Sequence, residues 1–228
     1  VSNSNLLDQF INRGRLSVLD GAVWSNPVDP NFTFHNNMGG ELLIGAGSRI
    51  VASNFNAGAG STTIINGELF VNTAPGANEA AKVTLSGAVL GSGVIVCNGV
   101  IIVYGRVGPG QSPGRLTVDG DVELGADSVL FMEIAGMGAG EFDVLKVTGD
   151  LTLDGTLEFA VLDLFAPQAG DVFGFLDVDG EISGSFQTIR TRGLESGFEF
   201  ETRFNSDTGL YEFVALNDGQ ALPASITG

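Results

Sequence analysis

The chain of 228 residues has one cysteine, one histidine, one tryptophan and two lysines. A single cysteine cannot close an intrachain disulfide, which excludes the disulfide-stapled class of small domains but not secretion. Cys97 lies in the apolar run GVIVCNGVIIV and reads as a buried small hydrophobe. One His and one Cys cannot assemble a zinc site. A Ser-His-Asp triad would have to be built on His35, which sits in NFTFHNNMGG, read as a loop with no nucleophile elbow. The glycine-rich GMGAG at 136–140 lacks the G-K-[ST] ending of a phosphate cradle. No apolar run approaches the roughly 18 residues that would cross a bilayer as a helix. The chain starts at Val1 without a Met and reads as a mature or trimmed product.

Helical patterning is scarce as well. Leu6, Leu7, Phe10 and Ile11 in the opening segment fit either a short capped turn or an extended strand. PGANEAAKV (75–83) is a second candidate for one helical turn. Basic residues are few and unevenly balanced. Residues 1–116 hold six acids and six bases, so the net charge of −17 arises entirely in 117–228, where 21 acids face four bases. Such a surface repels nucleic acid and anionic lipid, so neither a nucleic-acid partner nor membrane insertion is expected. It suits a well-solvated surface that keeps an edge-rich β protein from aggregating.

What the chain has in abundance is glycine, 34 residues, placed in a repeated phrase. A polar residue or Gly, then Gly, then any residue, precedes an apolar–x–apolar alternation: NGELFV (66–71), SGAVLG (86–91), NGVIIV (98–103), DGDVEL (119–124), DGTLEF (154–159). Each copy predicts a tight turn, with Gly supplying positive φ, and the start of a short strand with one buried face. Stacked units of this kind predict an all-β fold: an irregular right-handed parallel β-solenoid (β-helix) followed by a β-rich C-terminal cap. The expected organisation is an N-terminal segment 1–19, a solenoid over 20–127, a cap over 128–216, where strands lengthen and most of the 16 Phe lie, and a flexible tail 217–228.

Acids are the only side chains in quantity that could carry chemistry. Asp119 and Asp121 in VDGDVEL could share a strand face as a catalytic pair, but few aromatics are available for a sugar subsite, and solvated strand-edge acids are the preferred reading. Asp177, Asp179 and Glu181 in DVDGEISG have the spacing that opens a calcium loop, although Phe186 stands where its closing acid belongs. No cofactor is expected beyond such a structural calcium.

Residues 105–162 carry a longer pattern. Pro109, Gly110, Ser112, Pro113 and Gly114 form a PG-x-SPG turn, followed by Leu116 to Gly120. Ser128, Leu130 and Glu133 come next, then Asp143, Leu145, Val147, Gly149, Leu153, Gly155 and Leu157. This run resembles segments of bacterial exported surface proteins, namely autotransporter passengers with their associated β-strand repeats and extracellular proteins with PEP-CTERM-type anchors. AGDVFGFLDVDGEISGSFQTI (169–189) looks like the usual continuation. The resemblance implies a solenoid at the bacterial surface or in the extracellular matrix and leaves activity open. No barrel translocator, PEP motif or terminal anchor occurs in these residues.

Together these features predict a non-enzymatic, secreted structural protein that assembles with itself, head to tail, into a filament, layer or biofilm matrix. Leu6, Leu7, Phe10 and Ile11, with no obvious local partner in sequence, are the candidate assembly residues. The alternatives are a monomeric adhesin or passenger fragment with an external ligand and a polysaccharide-active β-helix enzyme. Extracellular polysaccharide is the other partner expected.

Overall fold

A four-residue strand with alternating apolar side chains buries one face only, so it is stable when stacked on others like it. In the computed structural model, which describes residues 9–25, 32–73, 80–110 and 113–221, the strands stack as a parallel β-solenoid, and no helix occurs among the described residues. Each coil contributes a strand to three faces. The first face is built from Gln9–Asn12, Thr33–Asn36, Asn54–Ala57, Lys82–Leu85, 100–103, 121–124, Leu151–Leu153 and Ile182–Gly184. The second is a separate eight-stranded sheet, Arg15–Val18, Glu41–Ile44, Thr62–Ile65, Ala88–Gly91, Arg106–Pro109, Val129–Ile134, Thr156–Val161 and Thr188–Arg192. The third runs from Val23–Ser25 through Arg49–Ala52, Glu68–Val71, 94–97, 115–119 and Val144–Val147 to Val172–Val178. Val94–Val103 and Arg115–Leu124 each bend around a corner, serving the third face and then the first. Coils begin at 9, 33, 54, 82, 100, 121, 151 and 182, so no strict period exists.

The inward positions form one continuous core. On the first face Phe34, Phe55, Val83, Ile101, Val122 and Leu151 are all buried, and Phe34 stacks on Phe55 with centroids 5.6 Å apart. Cys97 is buried in the same core, and burial pushes its thiol pKa up, as suits an inert packing residue. Phe10 is not without local partners: its ring lies 5.0 Å from Phe34 and 5.2 Å from Trp24. Gln9–Asn12 is a strand in the first face, so the extended alternative holds there. Leu6 and Leu7 lie outside the described residues, as does most of the second helical candidate, whose end begins the strand Lys82–Leu85. His35, expected in a loop, is on the strand Thr33–Asn36 pointing away from the core.

The repeated glycine has a different purpose from the one its turn suggests. Gly67, Gly87, Gly93, Gly99 and Gly105 are absent from the positive-φ positions. They sit at corners where successive coils touch backbone to backbone. A Cβ on Gly93 would fall on the carbonyl oxygen of Gly67, one on Gly67 on that of Gly45, and one on Gly105 on that of Gly87. Strands in adjacent coils are about 4.8 Å apart, which leaves no room for a side chain where the chain turns inward. Only some copies, such as Gly21 and Gly155, also use positive φ.

Parallel pairing does not stop at the expected boundary near 127. It continues through Val129–Ile134 and Thr156–Val161 to Thr188–Arg192. Among the described strands, antiparallel ladders occur at Phe200–Asn205 and Leu210–Ala215, a hairpin laid on Val172–Val178 at the end of the third face. Its Phe213 packs 4.9 Å from Phe200, 4.6 Å from Phe159 and 5.8 Å from Phe173, which places the Phe-rich composition of the second half at the closed end of the core. Part of the expected flexible tail is tied down: Ala169 N–H donates to Asp218 Oδ1 (2.9 Å), Gly219 N–H to the Pro167 carbonyl (2.7 Å), and Ala221 bridges Leu194. Among the described residues, the final strands of the first and second faces, Ile182–Gly184 and Thr188–Arg192, pair only with the preceding coil.

Candidate functional site

The PG-x-SPG turn and the acids that follow it in sequence converge on the outer side of the second face. Arg106–Pro109 and Val129–Ile134 are neighbouring parallel strands, with Arg106 opposite Val129. By alternation, Arg106, Phe131 and Glu133 point outward. Phe131 is nonetheless buried, at 6% exposure, because two guanidinium groups cover it: Arg106 Cζ is 3.5 Å and Arg192 Cζ 4.6 Å from its ring centroid. Arg192 also pairs with Glu158, as does Arg190, whose Nε–H donates to Glu158 Oε2 at 2.7 Å.

Asp143 fixes the turn against this face. Its Oδ1 accepts the Gly114 N–H (2.6 Å) and its Oδ2 the Glu133 N–H (2.8 Å), so one carboxylate joins the turn to the strand Val129–Ile134. Burial pushes the Asp143 carboxyl up to about 7, against the pull of the two N–H groups, and the nearby Glu133 charge adds to the rise. Gly110 packs so tightly against Gly114 that a side chain would not fit, which accounts for the glycines of the motif.

Between these elements is a cleft of about 330 Å³ bounded by Leu90, Arg106, Pro109, Phe131, Glu133 and Asp143. Its charged groups are in different states. Asp143 is satisfied by the backbone. Arg106 and Glu133 are half-buried, and neither side chain makes a hydrogen bond or ion pair among the described residues. Burial lowers the Arg106 pKa, with the charge of Glu158 opposing that shift. By contrast Arg15, Arg49, Arg115, Lys146, Arg190, Arg192 and Arg203 are all ion-paired.

Two other clefts carry less chemistry. One of about 430 Å³ near the start of the second face is lined mainly by aliphatic side chains, and its Arg15 and Glu41 are already bonded to each other at 2.7 Å. One of about 440 Å³ lies between the last coil and the hairpin, against Ile182, Phe204 and Tyr211.

The acids singled out from sequence hold coils together. Asp119 Oδ1 accepts the Thr148 hydroxyl (2.7 Å) and Asp121 Oδ1 the Asp150 N–H (2.9 Å), each in the next coil. Asp150 Oδ1 in turn accepts the Glu181 N–H (2.8 Å). Asp177 receives Arg115 (2.7 Å) and Lys146 (2.8 Å), and Lys146 also bonds Asp179. Cations therefore occupy both Asp177 oxygens and one of Asp179, while the Glu181 carboxylate receives none among the described residues. Among the described residues no three acids, histidines or cysteines converge as a metal cluster. Of the assembly candidates described, Phe10 is in the core and Ile11 points outward. Arg106 and Phe131 were not singled out from sequence. The signal for them is the run SVLFMEI, in which an outward strand position holds Phe and so needs a covering partner.

No protein-family model matches the chain. A stretch of 64 residues, 26% of the chain, is 41% identical to the Adhesin BmaC autotransporter of Brucella suis biovar 1 (strain 1330). The chain spans 2% of the length of that protein. The likeness is to a small part of a long autotransporter adhesin, in line with the surface-protein pattern read from residues 105–162.

Proposed function

We propose that the chain is a non-enzymatic segment of an exported bacterial surface protein and that its solenoid serves adhesion, presenting its lateral faces to an external partner. The 41% identity to part of an autotransporter adhesin carries this reading, and a parallel β-solenoid with a continuous core is a scaffold suited to it. The acids of the second half serve as coil-to-coil acceptors, in keeping with a structural rather than a catalytic use. Beads coated with the purified chain would be counted on host-cell monolayers and on abiotic surfaces coated with extracellular polysaccharide. Attachment above albumin-coated beads is expected, and attachment at the albumin level on every surface would overturn the reading.

The free outer edges of Ile182–Gly184 and Thr188–Arg192 favour a second reading, end-to-end self-assembly into a filament or matrix. The hairpin Phe200–Asn205/Leu210–Ala215 ranks it second, because it occupies the third face where the next copy's coil would continue. Light scattering and negative-stain microscopy separate the two readings: a monomer fits adhesion alone, fibres the second.

A further inference from the structure

We propose that the cleft between Arg106 and Glu133 is a binding site for a neutral saccharide residue. The two side chains bound the same cleft on the second face, Arg106 laid over Phe131 and Glu133 two positions further along the same strand as that ring. Each is half-buried and neither side chain has a hydrogen-bond partner among the described residues, so the cleft offers an unused donor fork at one side and an unused acceptor at the other. The charge of Glu133 acts on Arg106, and the two form no ion pair among the described residues. Half-buried charged groups left unpaired are costly, and a ligand that bonds both relieves them.

A pair of hydroxyl groups meets this requirement, because each hydroxyl both accepts from a guanidinium and donates to a carboxylate. Leu90 and Pro109 supply the aliphatic wall for the C–H face of a sugar ring. The volume of about 330 Å³ is at the lower end of ligand clefts, roughly 300–1,000 Å³, which suits a ring or two rather than a long chain. Charge decides between neutral and acidic sugars. A uronate could pair with Arg106, but it would sit beside Glu133 on a protein of net charge −17. Neutral sugars escape that repulsion.

This site rests on the adhesive reading and adds a ligand class to it. The test titrates the purified chain with neutral tetrasaccharides of glucose, galactose and mannose and with a uronate tetrasaccharide, followed by saturation-transfer NMR and calorimetry. At least one neutral tetrasaccharide is expected to bind more tightly than the uronate. Arg106→Lys, which keeps a cation over Phe131 but not the planar fork, and Glu133→Ala are each expected to weaken it about tenfold. Lys82→Ala, on the first face, should leave binding unchanged, with all variants checked for an unaltered melting temperature. Absence of binding to every neutral tetrasaccharide, binding unaffected by both cleft variants, or tighter binding of the uronate would each overturn the proposal. If bead attachment persists while saccharide binding is absent, the cleft assignment alone falls. If both are absent, the adhesive reading falls with it.

Discussion

The two halves of the solenoid stack their coils by different chemistry. In the uncharged first half the corners close through bare backbone, glycine on glycine at 45, 67 and 93 and again at 87 and 105. A short amide ladder adds to this: Asn12 Nδ2 donates to Asn36 Oδ1 (2.9 Å), and Asn36 Nδ2 donates to Thr63 Oγ1 (3.0 Å), all three residues being buried. In the acidic second half such contacts persist, Gly149 on Gly120 and Gly180 on Gly149, and carboxylates are added to them, with Asp121, Asp143 and Asp150 each accepting backbone N–H groups from other strands or turns. The excess of acids therefore has an internal use as well as a solubilising one. Among these linkers Asp143, whose carboxyl burial pushes up to about 7, ties the acidic half to pH.

The sharpest way to break the first mode is Gly93→Ala. The new methyl group would meet the Gly67 carbonyl, and backbone cannot move aside as a flexible side chain can. A loss of about 3 kcal/mol or more is expected in urea unfolding, the upper end for overpacking. Gly47→Ala is the control. It lies at φ 73° with open space around it, so only the left-handed backbone penalty of about 1–2 kcal/mol applies. Equal losses for the two would mean that glycine serves these corners through φ after all.

Removing the best-placed acid tests the second mode. Asp143→Ala orphans the Gly114 and Glu133 N–H groups together, and about 2–3 kcal/mol should be lost at pH 5 at roughly 1–3 kcal/mol per buried unsatisfied group. Because the folded pKa of about 7 lies above the ordinary carboxyl value of 3.8, this carboxyl contributes stability that is full below pH 3.8 and is lost as pH rises to about 7. Asp143→Asn should remove that decline between pH 4 and 7. An unchanged slope would show that the N–H groups, and not burial, set the titration. In the neutral half Asn36→Ala is expected to cost about 2 kcal/mol with no pH dependence, since it leaves the Asn12 amide without its partner.

Much of this contrast was legible in the residues. The apolar alternation and the glycine phrase implied stacked parallel strands, because the period of two and the short strand length leave few other ways to bury the apolar side. The charge asymmetry was plain as well. The role of glycine was misjudged because a tight turn and a crowded corner demand the same residue, and only the distance to the next coil separates them. The boundary near 127 marks a change in composition where pairing continues, since bulkier inward residues are compatible with longer parallel strands. The cleft could not be read because its two groups come from different coils. Arg106 and Glu133 are brought together by the register of two strands; Glu133 belongs to the pattern over 105–162, but nothing local to either residue points to the other.

The smallest expected effect concerns Asp177, and its sign is opposite to that of Asp143. Burial by itself would raise the Asp177 pKa, but hydrogen bonds from Lys146 and Arg115 overcome it and hold the group below the usual carboxylate range. Its contribution is therefore present above the unfolded pKa and is lost as pH falls through the folded one. Asp177→Asn should cost about 0.5–1 kcal/mol at pH 7, as expected for an ion pair near the surface with one-quarter of its side chain exposed. The difference from wild type should shrink as pH falls through the lowered folded pKa of Asp177 and vanish once the carboxyl is protonated in both states. The same substitution doubles as a check on calcium. Lys146 fills the space between Asp177 and Asp179, so millimolar calcium should leave the melting temperature of wild type and variant alike unchanged. A calcium-dependent rise in wild type that Asp177→Asn abolishes would mean that Lys146 gives way to the ion, and the acidic half would then be linked by metal as well as by carboxylates.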